Sequence, residues 1–537
     1  VNNSQRVGQK LLLAFKGKQP TPEIISSLQK YKPAGLSLFR SLNIDNPEQV
    51  RTLAASLQRL ARNFGLPPLL IAIDQEGGQL MAIGEGTTPL PGNMALGATG
   101  STQLALQAGE VLGQELAAMG INVNYAPSCD VNSNPHNPVI GTRSFGEIPD
   151  QVAGLAAAMI NGIQSQGVAA VAKHFPGHGD TATDSHSGLP SLPHDLSRLQ
   201  NVEFPPFQAA IEAGVKLVMS AHLALPAVDG GPDAPPATLS PAILKGILRQ
   251  RLGFEGVIVS DALDMQAIQQ GDLLGAQAVR AAAAGVDLLL VTSNPVDHER
   301  VHASLLVAVQ NGQLDRKEIS DSVERILALK GWLAGAPPAP GLEIVGCADH
   351  QAIATEIAER SITLVRDHAG LLPLKLKAEY RLAVIIPKPV DLTPADTSSY
   401  TTPGLAAALR KYHPNVVEAI IPYAPEEADI RKVVQQLSAC DLLICGTLNA
   451  FESSGQAELV RRLLQTGIPT IVAALRLPYD LAAFPDAPTY LCTYSLLEPS
   501  MQALAKALFG HISINGKLPV SIPGLYKVGY SRSWPKE

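Results

Sequence analysis

A chain of 537 residues exceeds what one hydrophobic core ordinarily supports, and 46% hydrophobic with 17% charged residues is the balance of soluble globular domains, so two domains are expected. A net charge of −7 and a pI near 6.0 supply no basic field, which argues against nucleic acid or an anionic membrane as partner and leaves a small ligand. Five cysteines, Cys129, Cys347, Cys440, Cys445 and Cys492, are an odd number at irregular spacings, which fits neither a disulfide framework nor a zinc ribbon.

The first apolar run, residues 11–15, is too short for a membrane span or a signal-peptide core, and no later run approaches about 20 residues. The expected location is the cytoplasm, the alternative being secretion if a leader was trimmed before Val1. Up to about residue 335, short apolar runs alternate with helical patterns. The runs are 36–39, 69–73, 123–125, 168–172, 217–219, 257–259 and 288–291. Such alternation predicts βαβ units. The segments between carry helix signals: Ser240 and Pro241 ahead of Ile243, Leu244, Ile247 and Leu248, and an alanine-rich stretch over 274–284. Seven strands are visible in this pattern, and the eighth is not.

Several of these strands end in polar residues: Asp74, Gln75 and Glu76; Lys173 and His174; Ser220 and His222; Ser260 and Asp261. A doubly wound sheet gathers such ends at one switch point, whereas a closed barrel brings all of them round one mouth, so a (β/α)8 barrel of the TIM type is favoured. Residues 334–341 are rich in Pro and Gly and mark a linker, placed at 336–348, between a barrel over 1–335 and a smaller α/β sheet sandwich domain over 349–537. Strand candidates in the second domain are 382–386, 442–444, 470–473 and 490–492.

The densest chemistry lies over 173–186, where Lys173, His174, His178, Asp180, Asp184 and His186 follow a buried strand in a loop that carries Gly177 and Gly179. A carboxylate that accepts the Nδ1 proton of an imidazole fixes its tautomer and leaves Nε2 to exchange a proton, and Asp184 and His186 are close enough in a flexible loop to meet this way. Alone, an Asp-x-His pair is more often an ordinary surface feature. Asp261 closes another strand, where it serves either as the N-cap of the following helix or as a carboxylate able to attack an anomeric carbon. His178 and His222 are the weaker cases and suit loop bracing.

Taken together, residues 73–78 (Ile-Asp-Gln-Glu-Gly-Gly), 132–135, 141–146 (Gly-Thr-Arg-Ser-Phe-Gly), the 173–186 loop and 259–261 resemble glycoside hydrolase family 3, in particular its two-domain β-N-acetylglucosaminidases. Residues 361–365, 371–374 and 516–521 look like the second domain of that family. The resemblance implies Asp261 as nucleophile, His186 as general acid/base and Asp184 as its orienting partner, with Asp74, Arg143, Lys173 and His174 binding the sugar. No metal or organic cofactor is expected. Two departures stand out. Gln79 follows the two glycines where the family usually has arginine, and Ala82 replaces a second arginine used in sugar contact.

The expected activity is that of a retaining exo-β-N-acetylglucosaminidase, acting through a glycosyl-aspartate on terminal non-reducing residues of peptidoglycan-derived or related glycans. A neutral imidazole, unlike a carboxylate, would not repel an anionic acceptor, so an N-acetylglucosaminide phosphorylase is an alternative on the same fold, as is a β-glucosidase. An inactive carbohydrate-binding protein is the alternative of another class. The second domain is either structural or a separate binding module. Nothing in the sequence speaks to the oligomeric state.

Overall fold

A computed structural model of the chain describes residues 2–185, 188–231, 233–268, 270–532 and 534. Eight short strands, each buried along its whole length, form a parallel ring: β1 Leu11–Ala14, β2 Gly35–Ser37, β3 Leu70–Ile73, β4 Val123–Asn124, β5 Ala169–Phe175, β6 Leu217–Ser220, β7 Val257–Ser260 and β8 Leu289–Val291. They pair in chain order, with Leu12 opposite Gly35, Leu36 opposite Ile71 and Leu217 opposite Val257, and β8 returns to β1 through Leu11 and Leu289. The remaining seam, between β7 and β8, is closed by a bridge from Val259 to Leu288, where the Ser260 amide donates to the Leu288 carbonyl at 2.9 Å.

The eighth strand is therefore β1, the apolar run at 11–15. Its unbroken Leu-Leu-Leu-Ala pattern is that of a strand covered on both faces by the barrel interior and by the surrounding helices.

The covering helices form where the sequence signals them. Pro47–Asn63 begins with the Asn46 side chain accepting from the Gln49 amide and Pro47 in the first turn, and it buries Val50, Leu53, Ala54, Leu57 and Ala61 on one stripe. Thr102–Ala118 and Pro149–Ser165 approach through glycines: a Cβ at Gly109 would stand 2.3 Å from the Met159 carbonyl oxygen, and one at Gly162 2.1 Å from that of Leu106. The segment after Pro241 winds as a π-helix over Ala242–Arg251, and Leu274–Ala284 is α-helical up to Gly285, whose φ of 113° ends it.

The second half folds on a six-stranded sheet: β9 Thr363–Asp367, β10 Leu382–Pro387, β11 Val416–Ile421, β12 Leu442–Thr447, β13 Thr470–Ala474 and β14 Thr489–Cys492. The order is β9-β14-β13-β12-β10-β11, parallel except for β9, with helices such as Glu427–Leu437 and Ser454–Gln465 between strands and Glu498–Leu508 after the last. Strand β11 escaped the sequence pattern because it is half exposed, with Glu418 and Ala419 breaking the apolar run.

This sheet domain rests on the barrel loops that follow β3 and β4. Thr397 donates to the Gln79 carbonyl from its amide (2.8 Å) and hydroxyl (2.9 Å), and the Met81 amide donates back to the same hydroxyl at 3.1 Å. Asn132 donates to the Tyr479 hydroxyl, and Glu147 accepts from Ser521. The helix Ala348–Ser361 packs against Asn93–Thr99 and Thr102–Ala118, with His350 Nδ1 2.9 Å from Glu115 Oε1. Among the described residues, no helix is long and apolar enough to cross a membrane, and no group of three or more His, Cys, Asp or Glu is disposed to hold a metal ion.

Candidate active site

The C-terminal ends of the barrel strands open into a cavity of about 890 Å³, lined by Asp74, Arg143, Lys173, His174, His178 and Asp261 from the barrel and by residues of the segment 391–400 from the sheet domain. One wall is a buried charge network. Asp74 follows β3, and a short hairpin of Gln75–Gly77 against Leu80–Met81 folds back beside it, its end fixed by the Ala82 amide donating to the Asp74 carbonyl at 3.0 Å. Lys173, on β5, donates to Asp74 Oδ1 at 2.6 Å and meets Glu76 Oε1 at 2.7 Å. Arg143 closes a two-pronged pair on Glu76, Nε to Oε2 at 3.0 Å and Nη2 to Oε1 at 2.8 Å.

Glu76, Arg143 and Lys173 are almost wholly buried, and their charges stand because Glu76 and Asp74 together balance the two cations. Burial alone would push the Glu76 carboxyl up; the Arg143 guanidinium and the Lys173 ammonium reverse this and hold it down at about 2. Lys173 is raised in turn, the Asp74 and Glu76 carboxylates outweighing its burial. Asp74 is the member that reaches solvent, its side chain 25% exposed, and it presents a carboxylate to the cavity with a cation fixed behind it.

His174 stands next in this wall. Its Nδ1 is 2.7 Å from Asp130 Oδ2, and Arg143 Nη2 lies 3.3 Å from Nε2. A guanidinium can only donate, so the pattern assigns the proton to Nδ1 and leaves Nε2 accepting, in a neutral ring. Asp130 also accepts from the His174 and His178 amides and from Ser128, and against its burial these hydrogen bonds, with the one from the His174 ring first, hold it below the usual carboxylate range. His178 bonds Thr181 through Nδ1 and Ser185 through Nε2, and burial lowers it to about 4. It braces the loop as a neutral ring.

Across the mouth, Asp261 follows β7. In the ring of eight, β7 is four strands from β3, so Asp261 and Asp74 face the cavity from opposite sides. Below them the Tyr125 phenol is pushed up first by burial, and the carboxylates of both Asp74 and Asp261 add to the shift. Asp261 is not the N-cap of a helix. Its Oδ1 accepts from the next amide, Ala262, at 2.7 Å, a turn occupies 263–268, and helical structure resumes only at Gly271. His222 ties this turn down, bonding Thr238 through Nδ1 and the Ala262 carbonyl through Nε2.

Asp184 is half-buried in the 180s loop, its carbonyl accepting from the Gly188 amide. His186 lies outside the described residues, and its pairing with Asp184 is taken up below.

A model of the glycosyl hydrolase family 3 N-terminal domain matches residues 4–329, and one of the family 3 C-terminal domain matches 362–530. The chain belongs to glycoside hydrolase family 3. It is 32% identical to a β-hexosaminidase A of Pseudoalteromonas piscicida, with 97% of each chain covered, and 31% identical to a β-N-acetylglucosaminidase/β-glucosidase of Cellulomonas fimi, with 87% of this chain and 86% of the relative covered. The solved structure of a family 3 β-N-acetylglucosaminidase from Paenibacillus sp. str. FPU-7 superposes with a TM-score of 0.91 at 38% identity, covering 97% of this chain and 98% of that one.

For a family 3 chain, the two departures at 79 and 82 take on a structural sense. Gln79 Oε1 accepts from Thr142 at 2.6 Å and from Arg476 Nη2 at 2.7 Å, while Arg476 Nη1 pairs with the buried Asp396 at 2.9 Å. Gln79 is thus a junction between barrel and sheet domain. Two residues of this wall escaped the sequence reading. Glu76 sits two residues beyond Asp74, on the same side of an extended segment, and only the burial of two cations beside it reveals its part. Asp130 follows a run of small residues and is recognisable only once His174 is seen to need a partner.

Proposed function

We propose that this protein is a retaining exo-β-N-acetylglucosaminidase, with residues 1–335 as the catalytic barrel, 336–348 as the connection and 349–537 as a sheet domain that completes the cavity. The observation that carries this is the single cavity in which Asp261 faces the Asp74–Lys173–Glu76–Arg143 wall from the opposite side of the barrel. The curated relative and the superposable structure named above, both hexosaminidases, support the choice of sugar.

In the first step the Asp261 carboxylate attacks C1 of the terminal sugar. The C1–O bond breaks, and its electron pair goes to the leaving oxygen, which takes a proton from His186, held in orientation by Asp184. In the second step water attacks C1, its proton returns to His186, and Asp261 is released; two displacements retain the anomeric configuration. Asp74, as acceptor, and Lys173 and Arg143, as donors, suit sugar hydroxyls, with His174 completing the wall. Histidine in place of a second carboxylic acid makes the separation of two carboxyls no guide to the stereochemistry here.

Release of 4-nitrophenol from 4-nitrophenyl N-acetyl-β-glucosaminide, and of N-acetylglucosamine from peptidoglycan fragments, tests the assignment. An Asp261→Ala variant that keeps nearly full activity would overturn it. Water is the acceptor in this mechanism, so sugar 1-phosphate as the main product in phosphate buffer would convert the assignment to a phosphorylase.

A further inference from the structure

Arg40, just beyond β2, has no part in the network above, yet it lines the same cavity as Asp74, Ala82 and Asp261. Its guanidinium is anchored twice. Nη1 donates to the Met81 carbonyl at 2.8 Å, and the group lies 4.0 Å from the centre of the Tyr400 ring, which the sheet domain contributes. Space has been left for it: a Cβ at Gly84 would fall 2.5 Å from Nη1. Met81 directly precedes Ala82, whose amide is bonded to the Asp74 carbonyl, so the anchor places the guanidinium on the hairpin that carries Asp74. One of its five N–H groups is spent on the Met81 carbonyl and Tyr400 engages it with its hydroxyl as well as its ring, with the Asp391 carboxylate nearby; the other N–H groups are left on the wall of the cavity.

The ring order gives this position a chemical meaning. A pyranose with C1 toward Asp261, after β7, points its opposite edge at β3, and in a pyranose the ring carbon opposite C1 is C4. Arg40 leaves β2, next to β3 on that side. We infer that Arg40 is a sugar-binding residue that donates to the C4 hydroxyl of the terminal residue, and that Tyr400 makes the sheet domain part of substrate recognition by holding it there. The inference rests on the proposed glycosidase activity and adds to it a specificity determinant drawn from both domains. Arginine is required in this place because its flat fork can take the Met81 carbonyl on one edge, the Tyr400 ring on one face and the sugar with what remains; an ammonium has no face to stack and no fixed fork.

The test uses the full chain with 4-nitrophenyl N-acetyl-β-glucosaminide and its C4 epimer, the galactosaminide. Arg40→Met, which keeps the stem and loses the donors, is expected to raise KM for the glucosaminide about 10- to 100-fold with kcat within about threefold, and to bring the gluco/galacto ratio of kcat/KM toward unity. Arg40→Lys is expected to recover little of the loss. Tyr400→Ala should move KM in the same direction by a smaller factor, and Tyr400→Phe, which keeps the ring and loses only the hydroxyl, should move it less than Tyr400→Ala. A purely structural Arg40 would lower the melting temperature and leave KM and the epimer ratio alone. Wild-type enzyme that cleaves the glucosaminide while Arg40→Met keeps both within twofold overturns this inference alone. Wild-type enzyme that cleaves neither sugar overturns the glycosidase assignment as well.

Discussion

Replacing Glu76 by glutamine keeps the shape of the side chain and removes one charge from beneath the proposed sugar site. Its carboxylate is the partner of two buried cations, Arg143 and Lys173, with side chains only 2–3% exposed. Leaving a buried cation without its counter-charge costs on the order of 3–5 kcal/mol. For the roughly 330 residues of the barrel, an unfolding entropy of about 2.1 cal/mol/K per residue makes this a fall of about 4–7 °C in the melting of that domain. Differential scanning calorimetry of wild type and Glu76→Gln at pH 7 reads it directly. The pH dependence adds a second reading with a definite sign. The folded carboxyl is held at about 2 and an unfolded one titrates near 4.5, so its contribution is whole above pH 4.5 and drains as the pH falls toward 2. The gap in melting temperature between the two proteins should therefore be widest at pH 6–7 and shrink toward pH 3. Because Lys173 would then be shared with Asp74 alone, KM should also rise. A variant that melts within 1 °C of wild type at pH 7 would show that the network is not a unit and that Glu76 does not underpin the site.

Five other variants can be checked. Asp261→Ala should abolish turnover of the chromogenic substrate and leave the melting temperature nearly unchanged, while His186→Ala should lower kcat by about 10²–10⁴, less for substrates with good leaving groups. Asp130→Asn should disturb the His174 tautomer and raise KM at least tenfold, measured by steady-state kinetics, because the amide can present a donor where Nδ1 needs an acceptor. Gly179→Ala should cost activity through misplacement of the 180s loop, since its Cβ would fall 1.8 Å from the Val131 carbonyl oxygen. Asp480, in the sheet domain, is pushed up to about 6 by burial, so the wild-type domain loses stability as the pH rises from about 4 through 6; Asp480→Asn should melt higher than wild type at pH 8, and the difference should vanish at pH 4.

Much of this architecture was legible because burial on both faces writes itself as continuous apolar runs. Seven of the eight barrel strands showed in this way, and the polar residues closing four of them gave the mouth. The eighth, at 11–14, carries the same signature, but as the first apolar run it has only the short helix Asn3–Gly8 before it and no earlier strand to make a βαβ alternation. Asp74, Lys173, His174 and Asp261 stand at strand ends, and the resemblance to family 3 singled them out from the other polar residues there. Arg143 is not at one: it sits in a short 3-10 turn, Gly141–Arg143, far from any strand end. Charge partners are harder to foresee than ligands: Glu76 and Asp130 act on residues 67 and 44 positions away, a relation made by the closing of the barrel and invisible to local spacing.

The substitutions at 79 and 82 show how a sequence comparison and a structure weigh the same change differently. Position by position, Gln79 and Ala82 are lost positive charges beside the proposed sugar site. In three dimensions a guanidinium stands at each place, brought by other parts of the chain. Arg476 comes from the sheet domain to Gln79, its charge already balanced by Asp396, and so serves the joint between domains. Arg40 comes from β2 to the Met81 carbonyl beside Ala82, stacked on Tyr400, and remains open to the cavity. An arginine on the hairpin itself would need only the barrel to orient it. An arginine stacked on Tyr400 needs the sheet domain in place, so substrate affinity here should depend on the joint at Thr397: Thr397→Ala, which deprives the Met81 amide of its acceptor, should raise KM several-fold in wild type and add nothing once Arg40 is methionine.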